Sequence, residues 1–521
     1  MNAANFADKR PASLDELTEA FRAPCGSVSP SSVSLRETNL SQVFVTGDRA
    51  YKLKKPVRLP FLDYSTPDRR REMCSEEVRL NRRLAPAIYL GVRALVRHQD
   101  GIRLEDVRDE RAFDYVVEMR RFRDESTLAE VLKRGEDDRI GEVARLLQRF
   151  HAQAEECRPV DVVAEWRSTL DENLRTLSEI APGRRMELEA HRRFDASYID
   201  RRGGLLDRRA AEGKVRDGHG DLRADHVLLE SEISIVDCVE FNSMLRRIDT
   251  SADVAYLVVD LRRRGWARQA QKLITAYRAA GGDAGDESLL SFFCAYRALV
   301  TAKVAVLRGA GETDVHVDRL FSLARRYMWN ARLPLALVVC GVSASGKSLL
   351  ADAIANESGL PVLSSDRIRK ELVGIAATDR APVRAYSREM TLRTYSELGR
   401  RATTAIRDAG GVIVDATFHR GEQRQAFLHA YAGPIAPVFM QCKAPEGVLR
   451  RRVAHRSALP ARTSDATVAV LERQLAEAEP FPSVLNAFVV STDATPEQVV
   501  RRAVRELDRH IGPSAGASVQ E

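Results

Sequence analysis

The chain has 521 residues, 44% of them hydrophobic and 30% charged, with a formal net charge of +7. That make-up excludes a disordered or fibrous protein and, at about 100–200 residues per domain, implies two or three folded domains. The basic excess is arginine scattered through helical stretches such as "RRRGWAR" and "RRRVAHR". No like-charge block of nucleic-acid-tail length occurs, so nucleic acid is a minor option and small anionic ligands fit better.

The seven cysteines (25, 74, 157, 238, 294, 340 and 442) are odd in number and have no C-x-x-C spacing. Neither a zinc site nor a disulfide framework is indicated; buried free thiols are expected. The first twenty residues lack an apolar core of signal-peptide length. No stretch is expected to approach the ~18 apolar residues of a membrane span. A cytoplasmic protein with no membrane partner is therefore expected. Oligomeric state is open.

In chain order, residues 1–34 are polar, with Pro, Ser and Gly, and are expected to be partly disordered. "SQVFVTGDRAYKLKK" (41–55) predicts two strands around a turn. "TPDRRREMCSEEVRLNRRL" (66–84) predicts a helix, with Thr66 as N-cap and Pro67 just inside. Residues 88–119 predict further strands, ending in "FDYVVEM". Helical patterns then run from 127 to 215 and, after a motif region at 219–242, to about 330. A strand-rich lobe (35–120) followed by a helical lobe (121–328) is the expected arrangement.

Near residue 330 the pattern changes. "LPLALVVCGVSASGKSLLADAIANESGLPVLSSD" predicts strand, loop, helix and strand, a βαβ unit with a parallel sheet. This domain is expected over 329–510, with a disordered tail at 511–521. Its loop fits G-x-x-x-x-G-K-[ST] in full, between an apolar strand and a helix. Gly341 and Gly346 let the backbone curl so that the N–H groups of Ser343, Ala344, Ser345, Gly346, Lys347, Ser348 and Leu349 can face phosphates. Lys347 would neutralise the β- and γ-phosphates of ATP, and the Ser348 hydroxyl would ligate Mg²⁺. Asp415 ends the buried run "VIVDAT", where a carboxylate holds Mg²⁺ or its water; alone, it also reads as a turn or helix cap.

"LSSDRIRKEL" places Asp366 where an acceptor hydroxyl would meet the γ-phosphate. Arg369 is three residues on, along the same helix face. Helix capping by Ser365 or Asp366 is the alternative. Arg452 and Arg456 share a face of a basic helix, which reads equally as a solvated surface. Together these residues resemble the small P-loop kinases related to polynucleotide 5′-hydroxyl kinase and zeta toxins, over about 330–510. The resemblance implies Asp366 as base, Arg369 on the substrate phosphate or transition state, and Arg452 and Arg456 as lid residues. It leaves the acceptor open.

The stretch "HGDLRADHVLL" begins at His219. Together with "SIVDCVEFN" it resembles the aminoglycoside phosphotransferases, over about 35–325. The resemblance implies Asp221 as the catalytic base, His219 as a brace for its loop, and Asp237 as the Mg²⁺ ligand, with Glu240 close by. Lys52 of "AYKLKK" would bind phosphate, with Lys54 the other candidate. Glu77 would pair with that lysine, with Glu76 the alternative, and Met119 would lie on the strand whose backbone reads adenine. Asp253 reads as a brace in the helical lobe. Two departures stand out. "ETNLSQVF" replaces a glycine-rich loop, and His226 stands where the family has a metal-ligating Asn. Imidazole prefers softer metals than Mg²⁺.

As a whole the chain resembles bacterial fusions of these two domain types. The expected fold class is α/β and α+β: a bilobal protein-kinase-like domain followed by a P-loop NTPase with a parallel sheet and flanking helices. The expected function is ATP-dependent phosphoryl transfer to a small-molecule hydroxyl acceptor. A nucleotide-dependent regulator with an N-terminal pseudokinase, and a nucleic-acid end kinase, are the alternatives.

Overall fold

The computed structural model describes residues 12–22, 33–38, 40–59, 62–136, 138–376, 379, 381–457 and 467–511. The chain divides into two compact units. One comprises residues 1–160 with 208–285, the other 161–207 with 286–521. Both units are discontinuous in sequence, and the helices from 161–207 and 286–330 belong with the P-loop sheet. The tail expected to be disordered lies almost wholly outside the described residues. Within the N-terminal segment, Leu14–Arg22 is a helix whose Leu17 and Phe21 are buried in a cluster with Phe44, Tyr51 and Leu95.

The first unit carries a six-stranded antiparallel sheet. Its strands run spatially in the order Ser34–Glu37, Ser41–Thr46, Arg49–Lys54, Asp114–Arg120, Tyr89–His98 and Gly101–Asp106. The turn predicted by "TGD" is built on Gly47, at φ 51°. Register sets Lys52 opposite Val117 and Ala50 opposite Met119. The helix Pro67–Asn81 starts as expected: the Thr66 side chain accepts from the Arg69 N–H and Pro67 occupies the first turn. Its Cys74 and Val78 pack into the sheet's apolar cluster, which aims Glu77 at the strand Arg49–Lys54. Beyond the sheet follow four helices, Leu128–Arg134, Ile140–Gln153, Thr250–Arg263 and Ala267–Ala279.

The second unit is built on a five-stranded, all-parallel sheet in the order Val362–Ser364, Gly411–Ala416, Leu335–Cys340, Val438–Lys443 and Ala487–Ser491. Its central strands are buried at every residue, which is why they read as unbroken apolar runs. Helices cover both faces. Trp329, at the end of the Val315–Asn330 helix, belongs to the same core as Leu335 and Leu350, and Arg332 makes a buried bidentate pair with Asp508 at 2.7 and 2.8 Å. In the helix Arg185–Ala211, Asp195 is buried, and burial pushes its carboxyl up to about 8.

The sequence expectation that no stretch approaches a membrane span is corrected at Glu287–Leu307. This 21-residue helix is long and apolar enough by length and composition. Most of it is buried inside the protein. Trp166 packs on Phe293 at 4.9 Å between ring centroids, and Tyr198 stacks on Phe292 at 4.2 Å. Its apolarity serves the core of the second unit.

Candidate active sites

In the first unit, alternation along Arg49–Lys54 turns Lys52 and Lys54 to the same face, and Glu77 meets both. Lys52 Nζ lies 2.8 Å from Glu77 Oε1 and 3.0 Å from Asp237 Oδ1. Lys54 Nζ lies 2.6 Å from Glu77 Oε2 and 2.5 Å from Glu240 Oε1, which also accepts from the Tyr64 hydroxyl at 2.8 Å. The Lys54 side chain has no exposure, whereas that of Lys52 retains 18%, so Lys52 is the lysine a ligand can reach. Burial opposes its charge, but Asp237 and Glu77 outweigh it and keep the ammonium protonated. Glu76, the alternative partner, pairs with Arg79 on the outer face.

Asp237 sits at φ 61°, in left-handed backbone that a non-glycine residue adopts only at a cost. Lys52 is the main cause that holds its carboxyl well below the usual range. The loop before it is strapped down by Asp253. That carboxylate accepts from the His219 N–H at 2.7 Å and the Gly220 N–H at 2.9 Å, with His151 Nε2 at 3.2 Å. A side chain at Gly218 would strike Asp253 Oδ2 at 2.5 Å, and Gly220 needs φ 83°, so both glycines follow from the strapping. Burial holds His219 down to about 4, hence neutral. Its Nε2 donates to the Val236 carbonyl at 3.0 Å while Nδ1 accepts from the Asp221 N–H at 3.3 Å. The bracing role expected of His219 and Asp253 is thus visible as hydrogen bonds.

His226 is held at both ring nitrogens. Nδ1 lies 2.9 Å from the Asp221 carbonyl oxygen, which only accepts, and Nε2 lies 2.7 Å from Arg223 Nη2, which only donates. The tautomer is therefore Nδ1–H, and the Nε2 lone pair is occupied. Asp237 Oδ2 is 3.8 Å from Nε2. His226 accordingly does not fit the Mg²⁺-ligand role that its position suggested; Asp237, half-exposed, fits it. Arg223 also pairs with Asp221 at 3.0 Å. No motif pointed to this arginine; its only signal was its place two residues after Asp221. Met119 is buried in one apolar cluster with Ala50, Leu228 and Val236, a lining suited to a purine face. Where glycines were absent, the Thr38 hydroxyl accepts from the N–H groups of Leu40 and Ser41 and forms the turn.

In the second unit, the loop after Leu335–Cys340 requires glycine twice. A side chain at Gly341, φ 144°, would meet the Cys442 carbonyl and Ser345 Oγ at 2.6 Å, and Gly346 caps the Lys347–Ser358 helix at φ 88°. Ala344 is also left-handed, at φ 62°. The resulting curl leaves the N–H groups of Ala344, Gly346, Lys347 and Ser348 without a protein acceptor among the described residues. Asp415 is the penultimate residue of the strand Gly411–Ala416 beside the loop. Burial pushes its carboxyl up, against Lys347 and a hydrogen bond with Ser348. Its buried Oδ1 has no hydrogen-bond partner among the described residues. A buried, orphaned carboxylate oxygen beside a hydroxyl fits a hard divalent cation or the water bound to it, so Ser348 and Asp415 would hold Mg²⁺.

Asp366 lies in the first turn of the helix Ser365–Val373 and acts on Asp415 as a like charge. Arg369 is buried: Nη1 donates to the Ala385 carbonyl at 2.7 Å and to Thr391 Oγ1 at 3.2 Å, the guanidinium lies 5.0 Å from the Tyr386 ring centroid, and Nε has no partner among the described residues. Arg452 is placed differently from the lid role. It donates to the Thr492 carbonyl at 2.7 Å and the Ala344 carbonyl at 3.4 Å, tying its helix to the phosphate loop. The Arg456 side chain lies outside the described residues. A cavity of about 650 Å³ opens beside the loop, lined by Lys347, Leu349, Ala353, Val448, Arg452 and Val499 among others. Leu349 thus borders this cavity. Sequence reasoning also missed Gln474, whose Oε1 accepts from the Ser343 N–H at 2.8 Å; no motif spacing marks it.

The fold and the 341–348 loop define a P-loop protein, and an AAA domain family model matches residues 337–481. The chain belongs to the same family as the uncharacterized protein Rv2004c of Mycobacterium tuberculosis, with which it is 32% identical over 456 residues, 84% of this chain and 88% of that protein. The uncharacterized protein Mb2027c of Mycobacterium bovis matches equally. Among solved structures, a gluconokinase from Sinorhizobium meliloti is 26% identical over 34% of this chain and 94% of its own, with a TM-score of 0.26. A choline/ethanolamine kinase family protein from Mesorhizobium loti is 15% identical over 60% of this chain and 94% of its own, with a TM-score of 0.37. An aminoglycoside phosphotransferase is 14% identical over 60% of this chain and 98% of its own, with a TM-score of 0.33.

Proposed function

We propose that this protein is a cytoplasmic ATP-dependent phosphotransferase whose P-loop site moves the γ-phosphate to a hydroxyl of a small-molecule acceptor. The observation that carries the reading is the convergence of Lys347, Ser348 and Asp366 on the buried carboxylate of Asp415, whose Oδ1 has no hydrogen-bond partner among the described residues. Asp366 accepts the proton of the acceptor hydroxyl. The freed oxygen attacks the γ-phosphorus, and the bond to the β,γ-bridging oxygen breaks. Lys347 offsets the charge that builds on the departing ADP. Arg369, held by Ala385 and Thr391, keeps its free Nε for an anionic oxygen of the acceptor or of the transferring group. Mg²⁺, when bound, would screen the β- and γ-phosphate charges. The test is transfer of labelled phosphate from ATP to a panel of small alcohols, sugars and aminoglycosides. Transfer should vanish in Lys347→Ala, and a panel with no product would reject the reading.

The bond between Arg223 and His226 favours a second reading for the first unit: nucleotide binding without turnover, in a regulatory role. Asp221 is there paired with Arg223, and the position of a second metal ligand holds an imidazole with no free lone pair. Under this reading Asp221→Ala leaves ATP turnover by the full chain unchanged, while Lys347→Ala abolishes it.

A further inference from the structure

The first turn of the phosphate loop already has a guest. Ser343 N–H donates to Gln474 Oε1 at 2.8 Å, the kind of contact that a phosphate oxygen makes with such a loop. Gln474 comes from the helix Val468–Ala476, which is held against the loop independently of that bond. Leu471 of this helix is fully buried in a cluster with Ala344, Leu449 and Val453. Just beyond its end, Glu477 pairs with Arg420 at 2.6 Å and the Glu479 N–H donates to the His419 carbonyl at 2.8 Å. Residues 419 and 420 lie three and four residues beyond the strand Gly411–Ala416, which carries Asp415. One short segment therefore touches both the start of the phosphate loop and the chain leaving Asp415, which brackets the place where a terminal phosphate must lie.

We propose that Gln474 reads the terminal phosphate of the nucleotide, and so sets the preference for a triphosphate over a diphosphate. This rests on the P-loop site binding ATP. A side-chain amide presents an acceptor on one side and a donor on the other. With no phosphate, the carbonyl end satisfies Ser343 N–H. A triphosphate brings an anionic oxygen to that N–H, where the carbonyl dipole would be repelled. Rotation about the last side-chain torsion turns the NH₂ group to the phosphate instead, and the repulsion becomes a charge-assisted hydrogen bond. A diphosphate leaves the first arrangement undisturbed.

The test is titration of Mg·ATP and Mg·ADP into the full chain by calorimetry. A Lys52→Ala/Asp237→Ala background removes the first unit's site. In that background Gln474→Glu fixes a negative charge against the terminal phosphate; it should weaken ATP binding at least about tenfold and leave ADP within about threefold. Gln474→Ala should bring the ATP and ADP affinities together. Unchanged ATP binding in Gln474→Glu, or equal losses for ATP and ADP in both variants, would overturn the proposal and make Gln474 a structural cap. If the background protein binds neither nucleotide, or Lys347→Ala does not abolish binding, the P-loop reading itself falls.

Discussion

Arg223 donates to His226 Nε2 at 2.7 Å, and this one bond decides what His226 can do. Its imidazole is spent on positioning the Asp221 loop and has no lone pair to offer a cation. In a Ser348→Ala/Asp415→Ala background, which removes the ligands of the P-loop site, Mn²⁺ binding followed by electron paramagnetic resonance should be lost in Asp237→Ala and unchanged, within about twofold, in His226→Ala. Equal loss in both variants would make His226 a ligand after all.

The two lysines that share Glu77 should separate cleanly. Lys54 is sealed between Glu77 and Glu240, so Lys54→Ala leaves the buried Glu240 carboxylate without a cation, while Glu77 keeps Lys52, and should cost about 3–5 kcal/mol of stability, read by denaturant unfolding. Lys52→Ala removes a half-buried ammonium from the ligand side. It should weaken nucleotide binding by the first unit with a much smaller effect on unfolding.

At the P-loop site, Asp366→Asn should lower phosphoryl transfer by about 10²–10⁴-fold, the range for a lost general base. ATP affinity should stay at the wild-type value, as the proposed action of Asp366 on the acceptor requires. A parallel fall in ATP affinity would place Asp366 among the nucleotide ligands.

Asp195 makes stability depend on pH in a known direction. Burial raises its carboxyl from 3.8 to about 8, so the folded chain keeps a proton that the unfolded chain releases. Its contribution is complete below the unfolded value, declines as pH rises, and is gone once pH passes about 8. Asp195→Asn should abolish that decline, so the gap in midpoint between variant and wild type should widen in the variant's favour from pH 4 to pH 8. A gap that does not change with pH would show that Asp195 titrates as an exposed carboxylate.

The phosphate loop was legible in the sequence because backbone geometry demands its glycines at fixed spacing. Lys52, Glu77 and Asp237 were reached through the resemblance to the aminoglycoside phosphotransferases carried by "HGDLRADHVLL" and "SIVDCVEFN", which left Lys54 and Glu76 open. Lys54 could not be separated from Lys52, since a period of two places both on one face and only Glu240, 186 residues away, tells them apart. Arg452 shows the same limit on a helix. Spacing gives its face but not what the face meets, which is Thr492 and Ala344. Gln474 and Arg223 act through single hydrogen bonds with no spacing rule behind them. The helix Glu287–Leu307, which the sequence reading did not single out, shows that length and apolar composition read alike whether lipid or protein covers a helix.

The second unit is assembled from two separated stretches of chain, and this bears on how the protein is made. Helices of the 161–207 stretch leave the ribosome long before their partners in 286–330, and Arg332 must wait for Asp508. At about 5–20 residues per second, those early helices carry Trp166, Phe194 and Tyr198 uncovered for many seconds. The nascent chain is thus a natural client for chaperones, and a ribosome stalled short of residue 508 would release a protein with a closed first unit and an open, adhesive second one.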